Sequence, residues 1–188
     1  GRLAESEGFD LKSLTLRPLQ TVQNMVAAVR TNQVDATMAI ASMASAAAGS
    51  GEAVIIGWIG DHVPHQITAL FAARGMVQHR ADDLRKFCTA YQRGIAAYRD
   101  AFLRIGPANI PVHGPATDAA IVDVTKYVFI GDPNAGEKIK SGLGWYDEGG
   151  ALDVTDVRHQ LAWYTAQGML KGEVDANAII DTRFLPTR

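Results

Sequence analysis

Within one short stretch, Trp58-Ile59-Gly60-Asp61-His62-Val63-Pro64-His65-Gln66, an indole, a carboxylate, two imidazoles and an amide crowd together. Such a set can bind a planar or polar solute: Trp58 would stack on a flat face, while Asp61, His62, His65 and Gln66 would hydrogen-bond a polar edge. The same residues also make an ordinary surface connector whose tryptophan covers the core. His62-x-x-His65 invites a zinc reading, but Pro64 disfavours a helix there and two histidines fall short of the three or four ligands a zinc site needs. No metal and no cofactor are expected.

A second stretch is informative because it lacks charge. Ala39-Ile40-Ala41-Ser42-Met43 closes an apolar run, and a ligand ammonium group would find no partner there. Ala39, Ala41 and Ser42 either line a pocket for an uncharged, aromatic or anionic ligand, or only permit tight helix packing. Cys88 falls between Phe87 and Tyr91 on an apolar stripe, the setting of a structural thiol rather than a nucleophile. Gly49-Ser50-Gly51 has neither spacing of a phosphate-binding loop and reads as a turn. No carboxylate pair, no Ser-His-Asp order and no metal motif stands out, so no catalytic residue is nominated.

Stepping outward to the elements that would position these groups, hydrophobic periodicity divides the chain. Residues 14–17, 36–40, 53–57 and 67–73 read as strands, the second of them buried on both faces as in a parallel sheet. Leu19, Val22, Met25, Val26 and Val29 fall at helical spacing. A long helix is expected over 81–105 on the repeat of Leu84, Phe87, Cys88, Tyr91, Ile95, Tyr98, Phe102 and Ile105, ended by Gly106-Pro107. Further helices are expected over 116–127, 135–140 and 154–167, the last capped by Asp153 and stopped by Gly168, with a short one after Asp175. Leu3-Ala4-Glu5-Ser6-Glu7 before Gly8 reads as the end of a helix begun upstream, so N-terminal sequence is expected to be missing.

Composition limits the function classes. The chain is 188 residues with 47% hydrophobic and 20% charged residues, the balance of a soluble globular protein. A net charge of -2, with no basic stripe, gives no footprint for nucleic acid or an anionic membrane. One cysteine precludes an intrachain disulfide and leaves the redox compartment open. No apolar run approaches the ~20 residues of a membrane span.

Three features together resemble a known family. They are the helix exit Arg30-Thr31-Asn32-Gln33-Val34-Asp35-Ala36, the helix DDLRKFCTAYQRGIAAYRDAF, and an ending with Gln160-x-x-Trp163-Tyr164, Gly168, Asp175 and Asp181-x-x-Phe184-Leu185. They resemble the periplasmic substrate-binding proteins of ABC importers, in the branch that binds nitrate, sulfonates, taurine and thiamine-pyrimidine precursors. The resemblance implies an α/β, two-lobed periplasmic-binding-protein-like (type II) fold with its N-terminal lobe missing or incomplete. Residues 1–65 would be the second part of lobe II and 66–188 the return to lobe I and the C-terminal helices. It implies a monomer that captures a small-molecule solute by hinge closure and delivers it to an ABC permease. The location implied is periplasmic, or lipid-anchored outside the cell membrane, with the signal peptide outside this chain. Two alternatives stay open: a thiamine-pyrimidine biosynthesis enzyme of the same superfamily, and the effector domain of a transcriptional regulator.

Overall fold

The computed structural model describes every residue except 64 and 108–110. Ten α-helices are formed among the described residues: α1 (Arg2–Glu7), α2 (Val22–Arg30), α3 (Ala41–Gly49), α4 (Ile59–His62), α5 (Arg74–His79), α6 (Ala81–Phe102), α7 (Pro115–Val124), α8 (Ala135–Ser141), α9 (Val154–Ala166) and α10 (Ala176–Ile179). Their ends follow capping chemistry. Thr21, Asp153 and Asp175 accept hydrogen bonds from backbone N–H groups in the first turns of α2, α9 and α10, and Gly8 ends α1 in the left-handed region at φ 70°.

The expected α/β, two-lobed periplasmic-binding-protein-like fold is not found. Among the described residues helix accounts for 53% and strand or bridge for only 2%, with no sheet. Residues 15–20, 36–40, 53–58 and 67–73 are irregular, and the bridges among the described residues are single pairs, Ile105 with Pro111 and Leu152 with Thr187. The physical reason is locality. A helix closes its hydrogen bonds within its own sequence, whereas a strand needs a neighbour, and none of these four segments is given one. Their apolar side chains are left in solvent: Val54 is 84%, Ile56 89% and Phe71 92% exposed.

Two compact units are formed, Gly1–Pro64 with Ile121–Gly144, and His65–Ala120 with Trp145–Arg188. Each is therefore built from two separated stretches of chain. Residues 121–144 fall in the first unit, where the sequence reading places everything after 65 in one region.

In the first unit α3 packs on α8 closely enough that a Cβ on Gly142 would stand 3.2 Å from the Cβ of Ser42. The small residues of α3 make that approach possible. The buried apolar residues of this unit are Ala4, Ala28, Ala47, Ala135, Val63 and Ile139. In the second unit α6 turns Leu84, Cys88, Tyr91, Ile95, Tyr98 and Phe102 toward the core, a stripe with steps of three and four residues in which the two tyrosines are half-buried, while Phe87 and Ile105 are exposed against expectation. The 3₁₀ turn Glu148–Gly150 packs on this stripe, and the Tyr98 ring meets Phe102 and Tyr146 with centroids 5.2 Å away in each case. Thr117 is fully buried, its hydroxyl donating to the Ala101 carbonyl at 2.6 Å and accepting from the Gly114 N–H at 3.1 Å.

Gly150 is where this packing tolerates least. Its φ is 72°, and a Cβ there would lie 2.7 Å from Ile95 Cδ1 and 3.0 Å from Tyr91 Cε1. Gly8 shares the left-handed φ but faces open space. Gly150→Ala is expected to lower unfolding free energy by about 3 kcal/mol, from overpacking plus backbone strain, and Gly8→Ala by only about 1 kcal/mol. Urea denaturation of both variants reads the difference.

Candidate functional site

Trp58, extended at φ -113° and ψ 129°, precedes the single turn of α4. The chain turns there because the Asp61 N–H donates to the Trp58 carbonyl at 3.1 Å. His62, in the last position of α4, sets its Nδ1 3.0 Å from Glu7 Oε1 on α1, both side chains about half exposed. Asp61 is exposed, and Pro64 lies outside the described residues. Ala39 is half-buried in the irregular 36–40 segment, with Ala41 and Ser42 in the first turn of α3. Ser42 sits against Gly142, so this uncharged stretch supports close helix packing in the first unit.

His65 and Gln66 belong to the second unit, His62 to the first. Gln66 is held on all sides. Its backbone N–H donates to Asp156 Oδ2 at 2.6 Å, and its carbonyl accepts from Gln160 Nε2 at 2.8 Å. Its side chain accepts from the Asp153 N–H at 3.0 Å and donates to the Thr68 carbonyl at 2.6 Å. Gln160 Nε2 also donates to Asp156 Oδ2 at 2.7 Å, closing a ring of groups around a carboxylate only 5% exposed. Charge-assisted bonds of this kind are the means by which a buried carboxylate is tolerated.

Gln66 is among the residues the sequence points to, and Asp156 is not. A detectable signal was present: Asp153, Asp156 and Gln160 are spaced three and four apart, which puts them along one side of α9 at its N-terminal end. What this arrangement does is positional. It fixes the backbone of Gln66, and with it the course of the chain beside the half-buried His65.

Two open hollows of about 390 and 400 Å³ are lined by other residues. The first is formed by Ala27, Arg30, Thr31 and Glu52, and the Arg30 guanidinium there is already paired with Glu52. The second follows residues 78–83, where Arg80 Nε meets Asp83 Oδ2 at 3.0 Å. Cys88 is 2% exposed, and burial pushes its pKa above the ordinary thiol value. Trp163 and Tyr164 meet edge to face with centroids 5.5 Å apart on α9. Among the described residues no group of three or more His, Cys, Asp or Glu side chains gathers as a metal set. No protein-family model, no curated protein and no solved structure matches this chain.

Asp156→Ala would strip the Gln66 N–H and Gln160 of their shared acceptor. A loss of about 2–3 kcal/mol in unfolding free energy is expected, with faster hydrogen exchange of the Gln66 amide, and a smaller loss for Asp156→Asn, which keeps one acceptor oxygen. For Cys88, a thiol reagent should react at a negligible rate with the folded protein and fully in denaturant. Rapid labelling of the native protein would contradict its buried setting.

Proposed function

We propose that this chain acts in solute capture for an ABC import system, binding a small uncharged, aromatic or anionic solute without covalent chemistry. The observation that carries the reading is the place of the polar stretch 58–66. The division between the two compact units falls within it, before His65. Each end is tied to its own unit, His62 to Glu7 on one side and Gln66 to Asp156 and Gln160 on the other. A site that binds without covalent chemistry needs polar groups carried on a fixed backbone, and the backbone at Gln66 is so held.

The ending with Gln160, Trp163 and Tyr164 supports the same reading through the family resemblance, and its Gln160 anchors the chain beside His65. The uncharged stretch from Ala39 to Met43 supports a ligand that needs no anionic partner there. A location outside the cell membrane and an ABC permease as partner belong to the same proposal. No helix among the described residues is long and apolar enough to cross a membrane.

Thermal-shift and calorimetric titration with nitrate, taurine, an alkanesulfonate, a hydroxymethylpyrimidine and benzoate test it. At least one of these is expected to stabilise the protein, by about 2.7 kcal/mol at a hundredfold excess over Kd. His65→Ala should weaken the bound solute about tenfold, or 1.4 kcal/mol. Absence of stabilisation by every solute would remove the support for capture, and unchanged affinity in the variant would remove His65 from the site.

A further inference from the structure

Residues 186–188, Pro-Thr-Arg, lie extended along residues 152–154 in the second unit, with Leu152 and Thr187 as a parallel bridge. The Leu152 N–H donates to the Pro186 carbonyl at 3.0 Å, the Leu152 carbonyl accepts from the Arg188 N–H at 3.0 Å, and the Val154 N–H donates to the Arg188 carbonyl at 3.2 Å. Proline suits the first of these positions, because the ladder uses its carbonyl there and its missing N–H costs nothing. Its ring rests on Gly149, where a Cβ would stand 3.2 Å from Pro186 Cγ, so the glycine leaves room for it. These bonds run through the residues on either side of Thr187, whose side chain is exposed, and the middle position is free to vary.

The arginine position is the most constructed part. Asp147 Oδ2 lies 2.9 Å from Arg188 Nε, and Asp153 Oδ2 lies 3.3 Å from its Nη2. Each carboxylate is held by its other oxygen: Asp147 Oδ1 accepts from Trp145 Nε1 at 3.2 Å, and Asp153 Oδ1 from the Asp156 N–H at 2.9 Å. Two acceptors are thus aimed at one guanidinium by bonds in which Arg188 takes no part, and a planar guanidinium meets such a pair better than the point charge of a lysine. The aspartate side chains are only 25% and 22% exposed, whereas Pro186, Thr187 and Arg188 are all exposed. The seat is therefore firm and its occupant lightly held, by a short ladder and exposed ion pairs, with little apolar area removed from water.

We propose that residues 147–154 form a binding site for an extended Pro-x-Arg segment, filled in cis by residues 186–188, and that a partner protein presenting such a segment takes their place. The mode is addition of a strand to an edge: the Leu152 and Val154 backbone supplies affinity, while Gly149 and the aspartate pair supply specificity for proline and arginine. The tether gives the cis segment an effective concentration on the order of millimolar, so the site in the unaltered chain is masked by the chain itself. This site is separate from solute capture.

Peptide binding to the full chain tests it. Arg188→Glu sets a carboxylate against Asp147 and Asp153 and should unmask the site. A fluorescein-labelled Gly-Pro-Thr-Arg-Gly peptide, followed by anisotropy, is expected to bind this variant about tenfold or more tightly than it binds the unaltered chain, and the same peptide with glutamate for arginine to bind neither. Hydrogen exchange of the Leu152 and Val154 amides should quicken in the variant and slow again when the arginine peptide is added. Should Arg188→Glu fail to fold, Arg188→Gln, which removes the charge without the repulsion, decides with the same peptides. Equal binding of the two peptides, no binding by a variant whose two amides exchange fast, or amides as protected in the variant as in the unaltered chain would each overturn the proposal.

Discussion

The carboxylate of Asp156 is buried, and a buried carboxylate must be surrounded by donors or not be there. Its donors come from far away in sequence: the Gln66 N–H is ninety residues distant, and Gln160 reaches both the carboxylate and the Gln66 carbonyl. One polar cluster thereby fixes where the chain enters the second unit. It also orients the start of α9, because Asp153 caps that helix with its side chain while its own N–H donates to Gln66. The C-terminal residues lean on the same place. Val154 N–H donates to the Arg188 carbonyl at 3.2 Å, and the Arg188 guanidinium lies within 3.3 Å of Asp153.

Around that cluster the second unit has a conventional core. The α6 stripe from Leu84 to Phe102 packs large side chains against the Glu148–Gly150 turn, and Gly150 is required because any side chain would strike Ile95 and Tyr91. The first unit is organised differently. Its helices approach through small residues, as at Ser42 and Gly142, so little apolar area is removed from water by each contact. Several larger apolar residues of that unit, Val54 and Ile56 among them, remain outside.

Much of the helical structure was legible in residue order, because its determinants are local. Gly8 ends α1, Asp153 starts α9, and the three-and-four repeat marks α6, which stops at Phe102 before the expected Ile105, while α2 starts at Val22 behind its cap Thr21 although the apolar spacing runs from Leu19. The candidate site was legible only in part. Gln66 stood out beside His65, but its role comes from Asp156 and Gln160, whose distance along the chain hid them. His62 and His65 look like one pair in sequence, yet they belong to different units.

The sequence by itself determined that most of the longer helices form and which residues are apolar, since a helix satisfies its own backbone and shows its buried face as a period. It also suggested strands at 36–40 and 53–57, and both segments are irregular in the structure. Only the tertiary structure decided that no sheet forms among the described residues, that Ser42 serves a helix contact and that a buried carboxylate governs Gln66. The reason is the same in each case: a ladder, a close approach and the burial of a charge all depend on groups brought together from distant parts of the chain.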